Sequence, residues 1–132
     1  MDYSFAESVI SLKLLTDRLC EGKNKRNGLF LVDFQILFIL SKYDQVSPKT
    51  LTEDLGIAKS NLAIVAKRMI KDGLIERIRF FQNRKEIYYQ ITPKGRQVLV
   101  EKVAQINAAA PETRKDDINL LNSTIDLLKS VK

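Results

Sequence analysis

The chain has 132 residues, with 22 Lys+Arg against 16 Asp+Glu, no histidine and one cysteine. That length holds one domain, or one domain with helical extensions, and a 45% hydrophobic fraction is enough to fill its core. The lone Cys20 excludes an internal disulfide framework and a cysteine-built zinc site, and the absence of histidine removes Ser-His and Cys-His nucleophiles and His-ligated metals. Met1-Asp2-Tyr3-Ser4 places an acid where a signal peptide needs bases, and the apolar run 28–40, interrupted by Asp33 and Gln35, is too short and too polar to span a bilayer.

The chain opens on a predicted helix over 4–20, where Phe5, Val9, Leu12, Leu15 and Leu19 recur at helical spacing. Residues 21–28 are polar, carry two glycines and read as a loop. Residues 29–43 are apolar on most faces, as in a helix at the centre of an all-α core. Ser47-Pro48 then supplies an N-cap and a first-turn proline for a short helix, ended by Gly56. A second helix runs from about Lys59 to Lys71 and stops at Asp72-Gly73. Two short helices joined by a glycine-containing turn make a helix-turn-helix, with Leu51, Leu55, Ile57, Leu62, Val65 and Met69 as its inner residues.

After Gly73 the composition turns to β-branched and aromatic. Residues 74–81 and 86–91 read as two strands, with 82–85 as a polar hairpin tip. Alternation alone leaves open which face of each strand is buried. Thr92-Pro93 repeats the cap-plus-proline start for a helix to about Ala110, Pro111 breaks it, and a last helix reaches about Ser130 with Ile118, Leu121, Ile125 and Leu128 at 3-4-3 spacing. The fold class expected is mainly α, an α+β winged helix-turn-helix. Residues 1–41 are expected to form N-terminal helices for dimerisation and core, 42–96 the winged region, and 97–132 C-terminal dimerisation helices; the alternative for the surplus apolar residues of the two ends is an intrachain hairpin.

Charge is distributed in the same way. Residues 1–41 hold five bases and five acids, and 99–132 again five and five, so the whole net +6 lies in 42–98. A basic centre between neutral ends suits a polyanion. The second helix of such a motif enters the major groove of duplex DNA, and the hairpin reaches the neighbouring minor groove, where narrow A·T tracts favour Arg. On that helix Leu62, Val65, Ala66 and Met69 form an inward stripe. Lys59, Ser60, Asn61, Ala63, Ile64, Lys67, Arg68 and Lys71 are left on the outside. Asn61 can pair bidentately with adenine, Ser60 can cap the helix or donate to a phosphate, and Lys59, Lys67 and Lys71 suit phosphates. Ile64 either meets a thymine methyl together with Ala63 or packs against the wing or the preceding helix.

These stretches carry a resemblance. Residues 51–62 (LTEDLGIAKSNL), 71–77 (KDGLIER) and 83–95 (NRKEIYYQITPKG) are similar to the helix-turn-helix, the helix-to-strand junction and the wing of the MarR family of bacterial transcription regulators. Residues 32–37 (VDFQIL) sit where that family has a helix before the reading head. The resemblance implies a sequence-specific regulator of transcription, chiefly a repressor. It implies a homodimer built by the first and last helices on a pseudo-palindromic operator, cytoplasmic and associated with the bacterial nucleoid. Arg84 falls on the family's wing arginine, with Lys85 beside it. The family's preceding acid is Asn83 here, and its Thr-Arg pair is Ala63-Ile64, which leaves more of the base reading to Asn61, Ile64 and DNA shape. The family also implies a small-molecule effector between dimer helices and winged domain, although no residue identifies one. No cofactor, metal or membrane partner is expected.

Cys20 has two readings. Some members of the family sense oxidants through a cysteine in the first helix, and Lys23, Lys25 and Arg26 close behind it favour a thiolate. The other reading is a small core side chain. Two further function classes compete with DNA binding: a winged helix used to hold an acidic protein partner, and an enzyme. No acid-base pair, phosphate loop or metal-ligand spacing supports the last.

Overall fold

The structure is a computed structural model that describes residues 2–21, 30–80, 83–109 and 115–131, leaving out the side chains of residues 21, 80, 83–85 and 109. Among the described residues six helices and a two-stranded antiparallel sheet follow one another: α1 (Ser4–Glu21), α2 (Leu31–Lys42), α3 (Pro48–Leu55), α4 (Lys59–Lys71), β1 (Ile75–Phe80), β2 (Asn83–Ile91), α5 (Pro93–Ala109) and α6 (Lys115–Lys129). The Pro111 break expected between the last two helices lies outside the described residues.

α2 is the central element. Phe34, Ile36, Leu37 and Leu40 are buried on it, and its neighbours are α1, α3, α4, α5 and β2. Around it gather Leu51 from α3, Leu62, Ala66 and Met69 from α4, Leu74, Ile75, Tyr89 and Ile91 from the wing and its root, and Leu99 from α5. A helix with no continuous polar face is stable only when covered on several sides, and the fold covers this one.

The local signals act as expected. The Ser47 hydroxyl accepts from the Thr50 amide at 3.2 Å with Pro48 in the first turn. Gly56 ends α3 at φ 67°, a left-handed conformation that costs a residue with a Cβ about 1 kcal/mol or more.

The sheet settles the open question of faces. Ile75 pairs with Ile91 and Arg77 with Tyr89, and Ile75, Tyr89 and Ile91 are buried. Two features depart from the expectation. Residues 83–85 belong to β2 rather than to the hairpin tip, with Asn83 opposite Phe80 beside a register shift. The segment before α3 also joins the sheet: Val46 and Tyr89 exchange both backbone hydrogen bonds, at 3.0 and 2.8 Å. That single bridge pins the entry of the helix-turn-helix to the wing.

The wing is fastened at its root as well. Thr92 shares its hydroxyl hydrogen between the Gly73 and Leu74 carbonyls, at 2.6 and 3.0 Å, and accepts from the Gly95 amide. Lys94 Nζ donates to the Asp72 carbonyl at 2.7 Å. A Cβ on Gly95 would stand 2.1 Å from the Leu74 oxygen, so only glycine lets α5 approach the end of α4 this closely.

The outer helices are a different matter. On α1, Phe5, Leu15 and Leu19 are exposed, and α6 has no buried residue although Ile118, Leu121 and Ile125 lie along it. Val9, Leu12, Leu121, Ile125 and Leu128 line an open, almost wholly apolar groove of about 390 Å³ between α1 and α6. No helix among the described residues is long and apolar enough to cross a membrane.

Candidate nucleic-acid interface

The 13 residues of α4 divide into two faces. Leu62, Ala66 and Met69 are buried and Val65 half-buried, so the inner stripe is the one the spacing predicts. Lys59, Ser60, Asn61, Ala63, Ile64, Lys67 and Lys71 are exposed together on the outer face. Ile64 is 67% exposed, so packing against the wing or the preceding helix does not explain it. The N-cap is Ala58, which makes no side-chain cap bond, and the first turn holds no acid. Ser60 therefore does not cap α4, and the positive end of the helix dipole stays open toward the same face.

Arg68 is the departure on this helix. Its spacing predicts an outward side chain, but its guanidinium turns inward to the carboxylate of Asp33 on α2, forming a salt bridge. Asp33 is 2% exposed and is the buried charged residue of the described core. The guanidinium also lies over the Phe30 ring, 4.7 Å from its centroid. Arg68 Nε is buried without a partner. Burial pushes the Asp33 carboxyl above its ordinary value, outweighing the downward pull of the Arg68 charge, the Arg68 hydrogen bond and the Phe30 amide. Arg68 thus belongs to the support of the outer face of α4 rather than to the face itself.

The wing lies beside α4. β2 carries Arg84 and Lys85 in its first three residues, and their side chains lie outside the described ones. Arg77 and Arg79 are exposed on β1. Between the wing and the helix-turn-helix is a cleft of about 450 Å³ lined by residues of α3, α4 and β2. Among the described residues no group of three or more His, Cys, Asp or Glu is placed to hold a metal ion.

Residues 32–109 of the chain match the winged helix DNA-binding domain family. The chain belongs to that family. A curated relative, the HTH-type transcriptional regulator PchR of Bacillus subtilis, is 19% identical over 68 residues, which cover 52% of this chain and 40% of PchR. The chain spans about two-fifths of the length of the curated relatives it matches. The transcriptional regulator BldR of Sulfolobus solfataricus superposes with a TM-score of 0.81 at 23% identity, covering 97% of this chain and 94% of BldR. A mutant MarR of E. coli, solved in complex with operator DNA, superposes at 0.73 with 13% identity, covering 95% and 93%. The fold of the described residues is therefore that of MarR-type regulators. The family is one of winged helix DNA-binding domains.

In this winged helix the remaining predicted site residue, Cys20, lies at the end of α1, half-buried against the core and without a disulfide. Burial raises its thiol pKa more than nearby Lys102 lowers it. The bases expected to activate it, Lys23, Lys25 and Arg26, lie outside the described residues. Sequence reasoning missed Phe30 and Asp33, and it misplaced Arg68. Asp33 had left a signal, because an acid inside an otherwise apolar helix needs a cation from another element.

Proposed function

We propose that this winged helix binds duplex DNA sequence-specifically, as a homodimeric transcription regulator on a pseudo-palindromic site. The observation that carries the reading is the outer face of α4. Lys59, Ser60, Asn61, Ala63, Ile64, Lys67 and Lys71 are all exposed there, with no cap and no first-turn acid. A surface isoleucine amid lysines has no folding role, but it suits a thymine methyl, and Asn61 beside it suits adenine. Lys59, Lys67 and Lys71 act on phosphates, which set register rather than sequence. Arg84 enters the minor groove, and Lys85 holds the backbone beside it. The complex of a MarR variant with operator DNA supports the same use of the same fold.

The dimer reading rests on α1 and α6. Their apolar residues face an open groove and solvent instead of a core, and a second copy covers such surface at about 25 cal/mol per Å² removed from water. Two-fold symmetry then matches a two-fold operator, with half-sites about one helical turn apart. Cys20, with its thiol pKa raised by burial, serves as a core side chain.

Selection of bound fragments from random duplexes tests the reading. We expect an inverted repeat, affinity that falls steeply with salt, and a loss of affinity in Arg84→Ala. Absence of any duplex binding at low salt removes this function and leaves an acidic protein as the partner of the basic face.

A further inference from the structure

The cleft between the wing and the helix-turn-helix is lined by Pro48, Lys49, Thr52, Lys59 and Ile87. The first three come from α3, Lys59 begins α4, and Ile87 belongs to β2. Ile87 is half-buried, while both lysines are exposed. Arg79 is the cross-strand partner of Ile87, so its Cβ lies on the same face of the wing. Two cations, Lys49 and Lys59, therefore line one cleft whose lining includes no acid. Lys49 Nζ lies 4.0 Å from the Glu53 carboxylate, and the two side chains are 85% and 65% exposed. Such a loose surface pair holds Lys49 weakly, and water and salt screen it. Like charges gathered around an open cleft repel one another, so the arrangement has no folding rationale.

Duplex geometry supplies one. With α4 in a major groove and the wing in the adjacent minor groove, one sugar-phosphate strand separates the two grooves. That strand has to pass between the start of α4 and the wing, which is where this cleft lies. We propose that the cleft is a seat for this strand, with one backbone phosphate held between Lys49 and Lys59 and the sugar edge resting on Ile87. The inference rests on the DNA-binding reading above and adds Lys49 to it as a positioning residue. Lys49 fixes how deeply α4 and the wing enter their grooves and carries no base preference.

The test uses the full chain and a duplex bearing its selected site. Lys49→Gln is expected to lower affinity equally for strong and weak sites. It should also make the plot of log affinity against log salt shallower by about 0.9 for each phosphate no longer neutralised. Glu53→Gln, which frees Lys49 and removes a charge that repels phosphate, is expected to tighten binding. Ethylation of the phosphate between the two grooves should block the parent and have much less effect on Lys49→Gln. Both side chains are exposed, so both variants keep the parent's melting temperature. If the parent binds DNA and depends on Arg84, but Lys49→Gln keeps the parent's salt slope and ethylation pattern, the seat is wrong and the reading head stands. If the parent binds no duplex, both fall.

Discussion

Arg68→Met is the substitution that most sharply tests the support under α4. It removes the cation that faces Asp33 while keeping most of the side-chain volume. Asp33 stays behind with a side chain 3% exposed, too buried for water to replace the missing partner. Stranding one charge of a buried pair costs about 3–5 kcal/mol. Arg68 itself is 36% exposed, so part of its charge was never desolvated and the lower end applies, about 3 kcal/mol near neutral pH. In a chain of this size that is a fall of roughly 10–15 °C in melting temperature. The loss should depend on pH. Burial already holds the Asp33 carboxyl above its ordinary 3.8, and without Arg68 it rises further. A carboxyl raised in the folded state favours folding fully below the unfolded value, and that contribution disappears as pH climbs through the folded value. The deficit of Arg68→Met relative to the parent should therefore be small in acid, open as pH climbs through the parent's raised folded value for Asp33, and stop growing above the still higher value in the variant. Urea unfolding of both proteins at several pH values, at one fixed protein concentration, measures the difference. Asp33→Asn added to Arg68→Met should restore most of the loss, because the buried charge is gone. A deficit below about 1 kcal/mol, a deficit independent of pH, or no recovery in the double variant would refute the reasoning.

Three further outcomes follow from the same structure. Asn61→Ala should leave stability unchanged, since Asn61 is exposed, and relax preference at one base position by about 1–3 kcal/mol, measured by competition among variant duplexes. Gly95→Ala should cost about 3 kcal/mol, the upper end for an overpacked site, because its Cβ would lie 2.1 Å from the Leu74 carbonyl oxygen; thermal melting reads this directly. DNA binding should survive mild peroxide, since burial keeps the Cys20 thiol protonated, and a loss that disappears in Cys20→Ser would overturn the core role assigned to it.

Much of this was legible in the sequence because its signals are local. Ser47-Pro48, Gly56 and Thr92-Pro93 each fix a chain direction through their own backbone, so the element order followed without knowledge of the packing. The inner stripe of α4 was equally legible, since one helix period sorts its residues. Periodicity fails where a long side chain can reach past its own face. Arg68 lies at the edge of the buried stripe, and only the position of Asp33, 35 residues earlier, turns it inward. The third strand position was hidden for a similar reason: Val46 is one residue among polar ones, and a single bridge has no repeating pattern. On α1 and α6 the spacing marked the apolar residues, but spacing does not reveal whether the surface that covers them belongs to the same chain.

The contacts that escaped local reading share a consequence for function. α4 is held at two places along its length. Arg68 joins it to α2 through Asp33 and Phe30, and the Asp72–Leu74 turn that ends it is tied to Thr92 and Lys94 at the start of α5. The second tie also fixes the root of the wing, since Ile75 and Ile91 pair beside it. Helix and wing are therefore aimed by shared contacts, and a displacement of α2 or α5 would move both. At its other end α4 begins without a side-chain cap, next to Lys59 and the cleft bordered by Lys49. The end proposed to meet the phosphates has few internal bonds to give up, and the end that sets the angle has many. In the proposed dimer, such a division lets the scaffold determine the spacing of the two reading heads while leaving each reading surface free to pair with DNA.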